Sequence, residues 1–486
     1  MESIVQILYD HAVKSPDQFF ASDDKGNKFT YVDAWHKVKE IAFTMSNNFG
    51  IGEDDCVVVE CNQQVSFLLI DLACELVGGV FVPIEKDTSC DRKDEIVDET
   101  DAKIFVYYTE KTDFPGCVSY DELLEETSDN LEDPVLFPSG ERIAEILYST
   151  GTTGKSKGIV ISNSANVALA ENIRYGVNMR NGNVEFLPVP ISHSHGLRCF
   201  YANVLNGGAV VLSDGLMRVK QALDLIKEYH VTAMDLSPNA VMLLIKLGRD
   251  AFWECAKTLD YIQIGTAVLP ESLKEELLEK LPGVHLYNFY GSTESGRSCV
   301  LDFSMEKDKK NCIGLPTKNS EIIFADSEGK AFMADSEHLG TLATKGTMNM
   351  LCYWRNPELS GLVMRNGYVY SSDLGYKDED GYVYVLGRKD DVIICNGINI
   401  SPDEIEAVAV QYDGITDAAC VPVSDELKGQ APKLFIVLKN AEGFDKKLFV
   451  EFLSFHLELN KMPKYIVTID KIPRTANGKI QRKRLM

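Results

Sequence analysis

The residues Ser149-Thr150-Gly151-Thr152-Thr153-Gly154-Lys155-Ser156-Lys157-Gly158 stand between two apolar segments, Ile143–Leu147 and Ile159–Ile161. Glycines let the backbone approach an anion and aim successive N–H groups at it, while hydroxyls and lysines add donors and positive charge. That is the chemistry of a triphosphate cradle. Gly154-Lys155-Ser156 invites a Walker reading, Gly-x4-Gly-Lys-Ser/Thr, but the pattern needs a glycine where this chain has Ser149. The loop also runs into Gly158-Ile159-Val160-Ile161, which reads as a strand, whereas a Walker loop opens a helix. A surface loop of small polar residues is the plain alternative.

Further stretches offer matching chemistry. Gly265-Thr266-Ala267 stands at a strand end, where open α/β sheets place their ligands. Asn288-Phe289-Tyr290-Gly291-Ser292-Thr293-Glu294 follows a strand and joins an aromatic face, hydroxyls and a carboxylate. Those groups suit, in turn, adenine packing, phosphate contact and Mg2+ ligation. Ser372-Asp373 precedes a turn and offers an acid able to accept hydrogen bonds from ribose hydroxyls. Each alone reads equally as a helix cap or turn residue. The tail from Lys471 to Met486 contains no acid, so it either meets an anion or is a solvated basic end.

Alternating patterns supply the elements that position these residues. Thr30 and Asp33 predict a capped helix over Tyr31–Asn47, and a helix is expected over Ser66–Val77, closed by Gly78. Strands are expected at Cys56–Glu60, Val80–Ile84, Lys103–Tyr108, Val184–Val189, Ala209–Leu212, Val231–Leu236, Tyr261–Ile264 and His285–Phe289. Helices are expected at Val219–His230, Asn239–Leu247 and Glu271–Leu281. This α/β alternation predicts parallel-rich sheets with helices on their faces. From about residue 311 the pattern becomes short strands and turns, which predicts a β-barrel-like subdomain over about 311–389 within an N-terminal domain of 1–389. A fresh α+β pattern over 390–486 predicts a small second domain.

The chain has 486 residues, 45% hydrophobic and 25% charged, with 49 basic against 73 acidic residues and a net charge of −24. That balance disfavours nucleic acid or an anionic membrane as a partner. The twelve cysteines include no Cys-x-x-Cys pair, which argues for a reducing, cytoplasmic setting over zinc or disulfide frameworks. The first residues lack the pattern of a signal peptide. The most apolar run, Val65–Ile84, is broken by Asp71, Glu75 and Gly78-Gly79, so no membrane span is expected.

Taken in order, the motifs resemble those of the adenylate-forming superfamily of acyl- and aryl-CoA synthetases, peptide-synthetase adenylation domains and firefly luciferase, over nearly the whole length. Thr150–Gly158 is similar to its phosphate loop and Tyr290-Gly291-Ser292-Thr293-Glu294 to its Tyr-Gly-x-Thr-Glu motif. Gly340-Thr341-Leu342, Tyr353–Glu358, Ser372–Gly375, Asp380-Gly381-Tyr382, Gly387–Asp391, Ser401–Glu406 and Pro473–Ile480 follow in register. The resemblance implies that a carboxylate attacks the α-phosphate of Mg·ATP, giving an acyl-adenylate and pyrophosphate, and that a thiol then takes the acyl group. It implies that the loop holds the β- and γ-phosphates, with Thr150 and Glu294 near the metal. Gly265-Thr266-Ala267 and Asn288–Gly291 would frame adenine, Thr293 would touch the α-phosphate, and Asp373 would bind ribose with help from Arg388. Lys479 would bridge the carboxylate and α-phosphate, as a fixed ammonium between two anions should. Asp390 matches the hinge of a mobile C-terminal domain, and Gly397 would sit on its thioester-forming face, leaving room for a pantetheine arm.

Departures from the pattern bear on the acceptor and the acid. Ser371-Ser372-Asp373 stands where Thr-Gly-Asp is commoner, and Gly265-Thr266-Ala267 replaces Gly-Gly-Ala or Gly-Gly-Glu at the floor of the acyl pocket. Ile393-Ile394-Cys395 replaces the lysine that CoA ligases often carry after the hinge, which leaves coenzyme A and a carrier-protein phosphopantetheine both open. Pro190-Ile191-Ser192-His193 matches the Pro-x-x-His motif, and His193 is a candidate for contact with the carboxylate, or with His195 a hydrogen-bonded structural residue. Ser192–His195 offers no acid to pair with an α-ammonium, although Asp214 and Asp235 lie within reach, so a non-amino carboxylic acid is favoured. The expected activity is an acid–thiol ligase; a non-catalytic acyl or nucleotide binder on the same fold would have lost Lys479, Glu294 or the loop, and all are present.

Overall fold

The computed structural model describes residues 2–125, 135–149, 157–389, 391–395, 398–425, 429–440, 444–474 and 480–486. Its first helix after the N-terminal one, Tyr31–Asn48, starts where the sequence places it. Thr30 accepts from the Asp33 backbone N–H and the Asp33 carboxylate accepts from that of Thr30, which satisfies two otherwise orphaned donors.

Cys56–Glu60, Val80–Ile84, Ala209–Leu212 and Tyr261–Ile264 are strands at the predicted bounds. Every residue of the first two is buried, as parallel strands covered on both faces require. They belong to a seven-stranded sheet in the order Cys352–Tyr353, Lys157–Ser162, Ile143–Ser149, Val80–Ile84, Cys56–Glu60, Ile104–Tyr107, Cys117–Ser119.

The larger sheet has fifteen strands. From Ala209–Leu212 through Val184–Leu187, Ala233–Leu236 and Tyr261–Ile264 to His285–Ser292 its neighbours are parallel. Beyond His285–Ser292 they are antiparallel: Gly296–Asp302, Cys312–Pro316, Val383–Arg388, Tyr368–Lys377, Gly340–Lys345 and Glu321–Ala325. The β-rich segment is thus attached through Cys312–Pro316, which pairs with Gly296–Asp302 on one side and Val383–Arg388 on the other. One apolar core joins the sheets, with Val57 and Phe81 from the smaller, Leu187 and Val210 from the larger, and the helices Val65–Leu76 and Ser194–Asn206.

Two local expectations change. Asn288–Ser292 does not follow a strand but completes one, because Gly291 and Ser292 pair with Arg297 and Gly296 and so prolong it to His285–Ser292. Asp373 lies inside the ten-residue strand Tyr368–Lys377 rather than before a turn, with a bulge between Leu374 and Gly375.

The C-terminal residues form their own sheet, Ile398–Ile400, Ile393–Cys395, Gly429–Leu438 and Ile415–Asp425, with Tyr465–Thr468 parallel to Gly429–Leu438. The helices Pro402–Ala409 and Lys446–His456 contribute Ile405 and Phe449 to its core. Two of the tail's basic residues meet anions of this same chain: Arg474 is paired with Asp417, and Arg482 with Asp403 and Glu406. No helix among the described residues is long and apolar enough to cross a membrane.

Candidate active site

The strands on either side of the predicted phosphate loop pair with each other. Ile143–Ser149 and Lys157–Ser162 are antiparallel, with Tyr148 opposite Gly158 and Ser149 opposite Lys157. The strand expected after the loop is present as Lys157–Ser162. Thr150, Gly151, Thr152, Thr153, Gly154 and Lys155 lie outside the described residues, as do Asp390, Gly397 and Lys479.

The turn after His285–Ser292 carries Thr293 and Glu294. Close packing fixes its glycines: a Cβ on Gly291 would lie 2.1 Å from the Gly296 carbonyl oxygen, and one on Gly296 1.9 Å from Leu169. Gly296 also needs φ +62, which glycine adopts freely. Tyr353 donates to Glu294 Oε1 at 3.0 Å, and burial pushes the Tyr353 phenol up, so it stays a donor. The Lys157 ammonium stands 5.4 Å from the Tyr353 ring. Lys157, Tyr353 and Glu294 therefore join the strand Lys157–Ser162 to the Thr-Glu turn. Glu294 is partly exposed and offers the hard oxygen donor that Mg2+ takes, so this residue fits that ion.

Ile264 lies opposite Asn288 in the parallel pair, which sets Gly265 beside Phe289. A Cβ on Gly265 would come within 2.2 Å of the Phe289 ring, so only glycine permits this approach. Thr266 has φ +74, a left-handed conformation costly for a β-branched residue and consistent with strain stored at a site. Tyr290, the next residue after Phe289, donates its hydroxyl to Asp373. Asp373 stands opposite Arg388 in register, with Arg388 Nε 4.0 Å from its Oδ1. Three of the sequence-predicted nucleotide residues are thus in one cluster, on three different strands.

Behind Phe289 lies a buried charged network. The Arg297 guanidinium lies 3.6 Å from the Phe289 ring centroid, and the His195 ring meets the same phenyl ring edge-on at 5.0 Å. His195 Nε2 is 2.6 Å from Asp235 Oδ1, and the Cys199 thiol donates to the second oxygen of Asp235. Burial, and then Asp235, push the nearby Glu185 carboxyl up to about 7. His195, Cys199 and Asp235 bring their donor atoms within 4.8 Å of one another. Arg297, 3.6 Å from Cys199 Sγ and 3.9 Å from Asp235, already supplies the positive charge there. The cluster is a hydrogen-bonded network of His195, Cys199 and Asp235 beside Arg297.

His193 caps the helix Ser194–Asn206 and contacts the Glu85 carboxylate. Lys86 pairs with Asp214 at 2.6 Å. Asp214 and Asp235 each have a partner of their own, Lys86 and His195. Sequence reasoning did not single out Tyr353, Arg297 or Glu85. Tyr353 lay within a quoted motif, but nothing local signalled its bond to Glu294.

Comparison with known proteins accords with this geometry. The family described as AMP-binding enzyme matches residues 8–354, and its C-terminal domain, described as AMP-binding enzyme C-terminal domain, matches residues 404–479. The chain is 24% identical over 486 residues to "4-coumarate--CoA ligase-like 6" of Arabidopsis thaliana, covering 95% of this chain and 86% of that protein. It is 31% identical over 361 residues to "2-succinylbenzoate--CoA ligase" of Staphylococcus aureus (strain MRSA252), covering 74% and 68%. Among solved structures, o-succinylbenzoate CoA synthetase from Bacillus subtilis, in complex with its acyl-adenylate intermediate, superposes with a TM-score of 0.87 at 22% identity over 99% of this chain and 97% of that one. ATP-bound MatB from Rhodopseudomonas palustris gives 0.86 at 23% identity over 100% and 98%. On the strength of the family match over most of its length, the chain belongs to the AMP-binding enzyme family.

Proposed function

We propose that this protein is an acid–CoA ligase of the AMP-forming type. It activates a carboxylic acid with Mg·ATP to an acyl-adenylate, releasing pyrophosphate, and passes the acyl group to the thiol of coenzyme A. The observation that carries this reading is the cluster of Tyr290, Asp373 and Arg388, which lie on three different strands and meet at the Asp373 carboxylate, next to Phe289 against Gly265. The names of the relatives as CoA ligases support the reaction class. A solved relative bound to ATP and magnesium ion supports the cofactors.

In this reading Asp373 takes the ribose hydroxyls, Glu294 holds Mg2+ with Thr150, and the phosphate loop holds the departing pyrophosphate. Lys479, on a domain beginning near Asp390, bridges the two reacting anions, and Gly397 lines the path of pantetheine. The acid carries no α-ammonium, because Asp214 and Asp235 are already paired with Lys86 and with His195. It is compact, because Phe289 fills the space against Gly265 and is backed by Arg297. The twelve cysteines are all free thiols, which supports a cytoplasmic setting.

The test is exchange of labelled pyrophosphate into ATP across a panel of acids, followed by thioester assays with coenzyme A and, separately, a holo carrier protein. Absence of acid-dependent exchange with every acid sinks the ligase reading. Transfer to the carrier protein alone replaces coenzyme A as acceptor.

A further inference from the structure

Glu294 is held at both of its ends by one short stretch of chain. Its carbonyl accepts from the Met350 N–H at 2.9 Å, and its Oε1 accepts from the Tyr353 hydroxyl at 3.0 Å. The same stretch is sewn to the strand Lys157–Ser162, which follows the predicted phosphate loop. The Leu351 N–H donates to the Val160 carbonyl and the Trp354 N–H to the Gly158 carbonyl, both at 2.8 Å, and Tyr353 stands opposite Ile159 in register. The Tyr353 N–H donates to the Ser360 hydroxyl at 2.9 Å, so its backbone is fixed on a second side as well. Residues 350–354 thus set the place of the Thr-Glu turn against the strand that leaves the loop.

The Tyr353 side chain is equally constrained. The residue is 5% exposed, and it packs with Ile159, Ile161 and Met350. Its hydroxyl reaches the Glu294 carboxylate, while the Lys157 ammonium lies over its ring at 5.4 Å. The phenol therefore meets a cation at its face and an anion at its hydroxyl. One oxygen of Glu294 is engaged in this way, and Oε2 takes no hydrogen bond from the described residues. A carboxylate tied through one oxygen keeps its plane and rotamer, and offers the other oxygen to a hard cation in a fixed place. An untied glutamate must give up its rotamer freedom when the ion binds, which weakens the site.

We propose that Tyr353 is a positioning residue for Glu294, holding Oε1 so that Oε2 is aimed at the divalent cation that enters with ATP. This rests on the reading of Glu294 as a ligand of that cation. Tyr353 acts through the carboxylate and is not itself a ligand.

The test is calorimetric titration of the full chain with α,β-methylene ATP, with and without Mg2+, so that binding is read without turnover. In the wild type, Mg2+ tightens binding of the analogue. Tyr353→Phe keeps the ring beside Lys157 and loses the hydroxyl. It reduces the Mg2+-dependent gain roughly tenfold, the lower end of what an outer partner of a metal ligand contributes, and leaves the affinity without Mg2+ unchanged. Glu294→Gln abolishes the gain, and Tyr353→Phe added to it causes no further loss, as expected when one residue acts through the other. In acid-dependent pyrophosphate exchange, Tyr353→Phe raises the free Mg2+ needed for half-maximal rate by the same factor.

A gain that survives in Tyr353→Phe but is lost in Glu294→Gln overturns the proposal and leaves the reading of Glu294 intact. A gain that survives in Glu294→Gln, or is missing from the wild type, overturns both. A further loss in the double variant shows that Tyr353 does not act through Glu294, and overturns the proposal. So does an equal loss of affinity with and without Mg2+, which marks a role in holding the fold that the melting temperatures of the variants check directly.

Discussion

Tyr290 donates its phenolic hydrogen to Asp373, 83 positions further along the chain, and Asp373 in turn stands opposite Arg388. Burial, and then the charge of Asp373, push the Tyr290 phenol well above its usual range, so it remains a donor throughout the working pH range. Hydrogen bonds to a charged group contribute about 1.5–3 kcal/mol. Tyr290→Phe should therefore raise the KM for ATP roughly tenfold in pyrophosphate exchange and leave the KM for the acid near the wild-type value.

Thr266 holds a left-handed conformation that glycine would adopt without cost. Relief of that strain is worth about 1–3 kcal/mol, partly offset by the freedom glycine adds to the unfolded chain. Thr266→Gly should stabilise the protein by about 1 kcal/mol in urea unfolding. A loss of stability would mean that the Thr266 side chain makes contacts that outweigh the strain.

Phe289 separates Gly265 from the buried Arg297. Phe289→Ala should extend the accepted acids toward bulkier ones, measured as the rank order of exchange rates across the panel. The same variant should lose about 2 kcal/mol of stability, below the 3–5 kcal/mol of a fully buried phenylalanine because this ring is partly exposed.

Arg482 lies 2.8 and 3.0 Å from the two oxygens of Glu406, and its Nε donates to the Cys420 carbonyl at 3.1 Å. Removing one member of a buried ion pair leaves an uncompensated charge and costs about 3–5 kcal/mol. Arg482→Ala should expose the C-terminal residues to limited proteolysis at concentrations of protease that leave the wild type intact.

Glu75 accepts the Ile4 and Val5 backbone N–H groups at 3.1 and 2.8 Å. Burial nevertheless pushes its carboxyl up from 4.5 to about 7. An acid with a raised folded-state value contributes stability that is complete below about pH 4.5 and is lost as pH rises through about 7. The melting temperature of the wild type should therefore fall between pH 6 and pH 8 by more than that of Glu75→Gln, which keeps one of the two acceptor oxygens and does not titrate.

What could be read from the sequence was what depends on neighbours in the chain. The capping pair Thr30 and Asp33, the buried apolar runs Cys56–Glu60 and Val80–Ile84, and the Asn366-Gly367 turn, with both residues at positive φ, each carry a local pattern. The contacts that finish the site do not. Tyr353 reaches Glu294 across 59 positions, and Glu85 meets His193 from a different sheet. Asp235 shows the same limit: as a lone acid it could have met an ammonium, and only the fold reveals that His195, Cys199 and Arg297 already surround it.

The strand His285–Ser292 pairs parallel on one side and antiparallel on the other. During synthesis its parallel partner emerges first, and Gly265 can meet Phe289 as soon as this strand is made. The acid that Tyr290 grips appears only at Asp373, and its arginine only at Arg388. Under the proposed function, a nascent chain that ends between these points would carry the residues for adenine without the acid for ribose. On that same reading, tight nucleotide binding would await the antiparallel half of the sheet.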